Sequence, residues 1–483
     1  MTPGWELVIG LEVHCELKTA TKLFCGCPNL FGDEPNSNVC PVCLGLPGSL
    51  PVLNQRAVEL AMAVGTALNC EIRPSTFHRK NYFYPDQAKD YQISQYDEPL
   101  NANGYLDLPD GSSVRVERAH MEEDTGKTTH AGGSGRIHGA DYSLVDYNRS
   151  GVPLVEIVSA PDIRSSLQAR EYVAELRAVL VASGASDGKM EEGSMRVDAN
   201  VSVRRSPEDP FGTRCEIKNL NSVRSVGRAI EYEAERQIRL IESGERVVQQ
   251  TRHWDEDAGR TEALRSREEA YDYRYFLEPD LVPLVPDAEW IRAVAESMGP
   301  MPAARRRQLV DLVVTTGEAP EARADQVATV VDLGLDHLVL AAVAAGVAPS
   351  LALARTANEA AADAEAAGRL DPDSYVALLS MEGSGQLTAT QAKAVLVELL
   401  AAGGGDPAAV AKARGFEVMS EDSLVTAVAD VVAANPDEWA RFCAGDAAAR
   451  KKLRGFFTGQ IMQATKGKAD GRAVSAELDR LAG

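Results

Sequence analysis

Met195-Arg196-Val197-Asp198-Ala199-Asn200-Val201-Ser202-Val203-Arg204 alternates apolar and polar residues without a break. A period of two is the mark of a β-strand with one buried face. Met195, Val197, Ala199, Val201 and Val203 form the apolar side. Arg196, Asp198, Asn200, Ser202 and Arg204 form the polar side. Such a strand can line up acid, amide and cation on a cleft floor, although an ordinary solvated face has the same pattern. The alternation recurs at residues 7–17, 114–119 and 215–218, with Gly, Pro and Asn turns between. Stretches at helical spacing interrupt the strands at 54–67, 167–182 and 223–242. The fold class predicted is α+β, with an N-terminal unit built on antiparallel sheet.

Near residue 290 the character changes. Beyond Pro302 the chain is rich in Ala, Leu, Val and Glu, and residues 303–316, 338–345, 350–367 and 390–402 read as amphipathic helices. Gly403-Gly404-Gly405-Asp406-Pro407 reads as a hinge. The predicted domains are therefore 1–292, an all-α region at 293–405 and a small helical tail at 406–483. A chain of 483 residues has room for this division.

Hydrophobic residues at 45% and charged residues at 25% suit a soluble globular protein. With no apolar run of about 18 residues, no membrane span is expected. Acids at Glu6 and Glu12 interrupt the start too early for a signal peptide, so a cytoplasmic location is expected. A net charge of −21 argues against a surface that binds nucleic acid everywhere and confines any such contact to a patch. The tail has one such patch. Arg450, Lys451, Lys452, Arg454, Lys466, Lys468 and Arg472 stand against the single acid Asp470, with Phe456, Phe457, Gly459 and Met462 interleaved. It suits phosphate contact; a solvated helix end has the same composition.

Four of the eight cysteines fall close together, as Cys25-Gly26-Cys27 and, after twelve residues, Cys40-Pro41-Val42-Cys43. Two thiolate pairs across a short loop can close a tetrahedral Zn²⁺ site of structural type. On the strand at 7–17, alternation sends Glu12, His14 and Glu16 to one face. Glu12 and His14 are then about 6–7 Å apart at the backbone, close enough to converge on one cation. A polar solvent face has the same Glu-X-His pattern. His120-Met121-Glu122-Glu123-Asp124-Thr125-Gly126-Lys127 follows the strand at 114–119 and reads as an acidic turn. Its clustered carboxylates offer the oxygen ligands Mg²⁺ prefers. Glu216 and Lys218 share a strand face. Aromatic, basic and amide groups crowd residues 77–86 and continue through Lys89, Tyr91, Gln92 and Ser94, a density suited to stacking on a nucleotide base or an RNA end.

These motifs together resemble a known family, the GatB-type subunits of the bacterial aspartyl/glutamyl-tRNA amidotransferases. The resemblance is carried by Gly10-Leu-Glu-Val-His14, Cys40-Pro-Val-Cys-Leu-Gly-Leu-Pro-Gly48, Lys80-Asn-Tyr-Phe-Tyr-Pro-Asp86 and Glu122-Glu-Asp-Thr-Gly-Lys127. Asp146-Tyr-Asn-Arg-Ser-Gly-Val-Pro-Leu154, Met195-Arg-Val-Asp-Ala-Asn-Val-Ser202, Glu216-Ile-Lys-Asn219 and Tyr271-Asp-Tyr-Arg-Tyr-Phe276 add to it. Beyond residue 290 the likeness lies in layout, a helical domain and a YqeY-like tail. The resemblance implies a ligase: ATP activates the side-chain carboxylate of Glu or Asp misloaded on tRNA, and ammonia then gives Gln or Asn. It implies a catalytic cradle at 1–292 and a tRNA-binding tail. It also implies two partners in a heterotrimer, an amidase-type glutaminase that supplies the ammonia and a small third chain that binds the other two together.

Set on that reaction, Glu12, His14, Glu122, Glu123, Asp198 and Glu216 are the expected Mg²⁺ ligands, and Cys25, Cys27, Cys40 and Cys43 the Zn²⁺ ligands. Lys80, Lys89, Arg196 and Lys218 are expected to neutralise phosphate charge. Tyr82, Asp86, Ser94 and Asn200 are the expected nucleotide contacts. There is no Walker A sequence and no kinase-type Gly-rich loop, so the ATP site is expected to be unconventional. Nor is there an obvious glutaminase: two thiol pairs are given to metal and Cys15 alternates towards the core. A noncatalytic tRNA-binding adaptor is the competing reading, and it would not need so many acids on strand faces.

Overall fold

In the computed structural model, residues 4–132, 140–264, 273–317, 319–416, 421–444, 447–465, 469 and 471–482 are described. The chain divides into two compact units, one ending at Ala303 and the other beginning at Ala304.

The first unit holds fourteen strands among the described residues: β1 (Glu6–Glu16), β2 (Glu71–Ile72), β3 (His78–Asn81), β4 (Tyr91–Ser94), β5 (Asn101–Asp107), β6 (Ser113–Glu123), β7 (Lys127–Ala131), β8 (Tyr142–Asp146), β9 (Pro153–Ser159), β10 (Met195–Arg204), β11 (Cys215–Leu220), β12 (Thr251–Asp255), β13 (Arg260–Ala263) and β14 (Phe276–Leu277). Twelve of them make one sheet, along the path β13-β12-β11-β10-β1-β9-β6-β4-β3-β14, with β5 joining at β6 and β2 at β5. The pairings are antiparallel except for β11 with β12. β7 and β8 form a separate hairpin.

The expected strand at 195–204 is β10 to the residue. Its apolar side joins the apolar side of β1 (Leu7, Ile9, Leu11, Val13, Cys15) in one buried cluster. Three helices supply the other half of that core: α1 (Gln55–Ala67), α2 (Ser166–Ala182) and α3 (Val223–Glu242). Their starts are legible as caps. Asn54, Ser165 and Ser222 each accept a backbone N–H from the first turn. Leu11 is fully buried, so truncating it to Ala costs about 2–5 kcal/mol. Because α1–α3 pack on the apolar side, the alternate side chains of β1, Glu12, His14 and Glu16, are left half-buried on the other face. The fold is α+β.

One element differs from expectation in a way that matters. Residues 120–123 are not a turn. They complete β6, where Glu122 and Glu123 pair with Leu154 and Pro153 of β9. Three successive acids look like a solvated loop in sequence; here neighbouring strands cover them, and Glu122, Glu123 and Asp124 are all buried.

The second unit is helical in its described residues. The helices Pro302–Thr315, Ala324–Asp332, Asp336–Ala344, Pro349–Asn358, Pro372–Gly383, Ala389–Ala402 and Pro407–Ala413 contribute to one apolar cluster that includes Tyr375, Leu396 and Ala411. The single helix expected over 350–367 breaks after Asn358 into a short 3₁₀ turn, Ala360–Asp363, and the helix Ala364–Gly368. The expected hinge is tied down: Gly403 caps Ala389–Ala402 at φ 74°, and the Gly405 N–H donates to Ser374 Oγ at 2.9 Å. A further cluster, around Phe442, Phe457 and Ile461, draws on Pro436–Ala444, Ala447–Ala464 and Gly471–Ala482. Among the described residues no single helix is long and apolar enough to cross a membrane.

Candidate active site

Alternation says which residues share a face of one strand, and register says which residues of different strands meet. Along β1 and β10, Gly10 lies opposite Asn200, Glu12 opposite Asp198 and His14 opposite Arg196. On the other side of β1, His14 lies opposite Glu156 of β9. Glu156 in turn lies opposite His120 of β6. Glu122, two residues on from His120, faces Ser94 of β4. Residues opposite one another across a ladder point to the same side, so five strands contribute to one polar floor.

At its centre, His14 Nε2 lies 3.4 Å from Glu122 Oε1 and 3.7 Å from Glu156 Oε2. His120 Nε2 lies 3.3 Å from Glu156 Oε2. Donor atoms of His14, Glu122 and Glu156 all fall within 4.8 Å of one another. Two buried carboxylates this close oppose each other's ionisation. Burial, and then the charge of Glu156, raise the Glu122 carboxyl above its ordinary range. Burial acts on Glu156 in the same direction, but the hydrogen bond and charge of His120, with His14 behind it, prevail and hold Glu156 low. The two carboxyls are thus pushed in opposite directions, Glu122 up and Glu156 down. A divalent cation would relieve their repulsion, and one imidazole with two carboxylates leaves room for water and phosphate oxygens in its shell. The donor set fits the expected Mg²⁺.

Glu12 adjoins this centre. Burial first, then Glu156 and Glu216, raise its carboxyl, and the Asn200 amide donates to it at 2.9 Å. Asp198 and Glu216 already share a cation: Lys218 Nζ lies 2.7 Å from Asp198 Oδ2 and 2.6 Å from Glu216 Oε1. Burial disfavours that ammonium, but the two acids prevail and raise its pKa. A cleft of about 420 Å³ opens beside Glu12, lined by Gly10, Asn200, Ser202, Pro161, Phe211 and Gly212 among others.

The thiols Cys25, Cys27, Cys40 and Cys43 form the second donor cluster, again with all sulfurs within 4.8 Å of one another. Tetrahedral zinc at about 2.3 Å from each sulfur would set them about 3.8 Å apart, and Cys40 Sγ to Cys43 Sγ is 3.9 Å. The residues fit the group. The knuckle is tight: at Gly45 (φ +66°) a Cβ would stand 2.5 Å from Cγ of Lys89.

Comparison with known proteins identifies the family. The GatB/GatE catalytic domain family matches residues 7–292, and the GatB (YqeY) domain family matches residues 341–481. The B-type subunit of an aspartyl/glutamyl-tRNA(Asn/Gln) amidotransferase from Frankia casuarinae is 48% identical over 487 residues, covering 97% of this chain and 94% of that protein. Proteins of the same name from Mycobacterium sp. (strain KMS), 49% identical over 97% of this chain and 95% of that one, and from Mycobacterium tuberculosis (strain ATCC 25177 / H37Ra), 48% identical over 97% and 93%, match as closely. The chain belongs to the GatB family of amidotransferase subunits.

In this family member the remaining expected residues take up other places. Glu123 alternates away from Glu122 and is buried against Lys89 Nζ, while its carboxylate accepts the Ile93 N–H at 3.0 Å. Arg196 bonds Asp124 at 2.8 Å, at the Glu16 end of the floor. Lys80 lies near enough to Glu122 to act on its charge and places Nζ 4.8 Å from the Tyr273 ring centre. Ser94 is buried opposite Glu122. Tyr82 stacks on Tyr84, with ring centres 5.4 Å apart, and the Asp86 carbonyl accepts the Gly126 N–H at 2.8 Å. Tyr271 and Asp272 lie outside the described residues.

Sequence reasoning misses Glu156 and His120 as site residues. Glu156 is the one charged residue in Pro153–Ser159, and a lone acid inside an apolar strand is the available signal. In the tail, Arg450 donates to the carbonyls of Phe442 and Cys443 at 3.1 and 2.8 Å, closing the end of helix Pro436–Ala444. Arg454 pairs with Asp479. Lys451 and Lys452 are both exposed on the helix Ala447–Ala464. Lys466, Lys468, Asp470 and the side chain of Arg472 lie outside the described residues.

Proposed function

We propose that the polar floor of the first unit is where ATP activates the side-chain carboxylate of Glu on tRNA(Gln) or Asp on tRNA(Asn), before ammonia converts it to the amide. The observation that carries this reading is the convergence of His14, Glu122 and Glu156 within 4.8 Å, next to Glu12 and a cleft wide enough for a nucleoside. The relatives' name supplies the substrate class. The chain is one component of a ligase that forms a carbon–nitrogen bond in protein synthesis, with glutamine as nitrogen donor.

His14, Glu122 and Glu156 would hold Mg²⁺, with Glu12 beside them; when bound, the ion neutralises phosphate charge. In the first step a carboxylate oxygen of the aminoacyl group attacks the terminal phosphorus of ATP, the bond to ADP breaks, and an acyl phosphate results. Ammonia then attacks the acyl carbon and phosphate leaves. Neither step needs a protein nucleophile, so the work of the chain is positioning and charge. Asn200 orients Glu12. Lys80, and Lys218 held between Asp198 and Glu216, set positive charge around the floor. The cleft along Gly10, Asn200 and Phe211 would take the nucleoside of ATP, and Ser94, Tyr82 and Asp86 remain proposed contacts on the other side. We assign Glu123 and Lys89 to bracing β6 and Arg196 to holding Asp124. The four cysteines would hold a structural Zn²⁺.

We place the chain in the cytoplasm, in a heterotrimer with a glutaminase partner and a small third chain. The proposed domains are the cradle at 1–292, the helical region and a tRNA-binding tail. That tail starts nearer residue 416 than 405, since Ala411 packs in the earlier cluster. The test is phosphate release from labelled ATP by the assembled complex. Release that requires Glu-tRNA or Asp-tRNA supports activation here. tRNA binding without such release would leave an adaptor.

A further inference from the structure

Beyond β4 the chain continues to Tyr96, whose ring stacks on Tyr275 at 4.2 Å between centres and 10° between planes. Tyr273 meets Tyr275 edge-on at 6.0 Å and 77°. The turn that presents these rings is held under strain. Arg274 has φ +45°, a left-handed conformation that is unfavourable for a residue other than glycine. Asn81 clamps it, its side-chain amide donating to the carbonyls of Tyr273 at 2.9 Å and Arg274 at 2.8 Å and its backbone N–H to Tyr273 at 3.0 Å. Strain of this kind persists where the surroundings enforce it, and it concentrates at binding sites. A stack built for stability would be buried, yet Tyr96 is 48% exposed with one face covered by Tyr275. The stack borders the carboxylate centre: Ser94, two residues before Tyr96, lies opposite Glu122, and Glu122 and Glu156 are close enough to Tyr275 to raise its phenol further after burial has done so.

The sheet order separates this stack from the cleft at Glu12. The cleft draws on β10, β1, β9 and, through Glu117, β6, whereas the stack lies past β6, on the β4 side. Two surfaces able to take a base therefore flank one carboxylate centre, and the proposed reaction brings two: the adenine of ATP and the terminal base of the aminoacylated RNA. Single-stranded RNA ends are held by stacking on aromatic rings. We propose that Tyr96 and Tyr275 form the stacking platform for the unpaired terminal purine of the RNA that delivers the carboxylate. Lys80, 4.8 Å from the Tyr273 ring centre, supplies a cation next to it. This assignment rests on the activation reading above.

The test uses the assembled complex with Glu-tRNA carrying 2-aminopurine as its terminal base. Tyr96→Ala and Tyr275→Leu should raise both the KM and the directly measured Kd for tRNA by about 10–100-fold, with the KM for ATP and glutaminase turnover unmoved. Tyr96→Phe should restore binding, and the 2-aminopurine fluorescence quenched by wild type should stay bright with Tyr96→Ala. A raised KM for ATP instead would give the platform to the nucleotide, and unchanged tRNA constants would remove it. If the wild-type complex releases no tRNA-dependent phosphate, the activation reading fails, while the Kd of Tyr96→Ala still decides the platform.

Discussion

Among the described residues the chain gathers metal-type donors twice, and the two clusters are built in opposite ways. Cys25, Cys27, Cys40 and Cys43 come from one loop, and their spacing brings them together almost regardless of the rest of the fold. His14, Glu122 and Glu156 come from β1, β6 and β9, far apart in the chain, and only strand register joins them. A local cluster can brace the chain. A cluster assembled by register reports on the whole sheet, and it sits between two possible base-binding surfaces, the cleft at Glu12 and the Tyr96–Tyr275 stack. We assign the first to structure and the second to chemistry.

Substitutions in the two clusters should have opposite effects. Glu122→Gln or His14→Ala should lower tRNA-dependent phosphate release about 10³-fold and barely move the melting temperature. Kinetics and calorimetry on the same complexes would check this. Cys43→Ser should do the reverse. Bound zinc, read by elemental analysis, should be lost and Tm should fall by at least ~5 °C, while the rate of the folded fraction stays within about threefold of wild type.

How much of this can be read from the sequence follows the same division. The cysteine spacing, the β10 alternation and the caps Asn54, Ser165 and Ser222 are local, and each is legible. So is the shared face of Glu12 and His14. The partnership of His14 with Glu156 is not, because nothing in either strand states which residue will lie opposite. The reading of 120–123 as a turn fails for a related reason: it infers solvent exposure from charge, whereas β9 and β4 cover those acids. In the tail, Arg450 and Arg454 count as an RNA-facing patch by composition, yet both serve the helices around them.

Smaller effects sharpen the contrast between floor and surroundings. Burial, with Asp124 next, raises the Glu16 carboxyl from 4.5 to about 7. The folded chain thus binds this proton more tightly than the unfolded chain. The stability so gained is full below about pH 4.5 and is lost as pH rises through about 7. Glu16→Gln cannot ionise, so it should match wild type near pH 4 and exceed it at about pH 8, by no more than ~3 kcal/mol; denaturant titrations at the two pH values would measure this. At the exposed end of the scale, Arg454→Ala removes one surface pair and should cost less than ~1 kcal/mol. Replacing Lys451 and Lys452 together by Glu should weaken tRNA binding without changing Tm.

In the function proposed above, register-assembled carboxylates of this chain, and not its partners, support activation of the tRNA-borne acid by ATP. The most direct measurement is a single-turnover experiment with labelled ATP and Glu-tRNA, comparing the wild-type complex with Glu122→Gln while glutamine hydrolysis is followed in parallel. Wild type should show a phosphate burst, Glu122→Gln none, and both should retain glutaminase activity. An undiminished burst in Glu122→Gln would contradict that function.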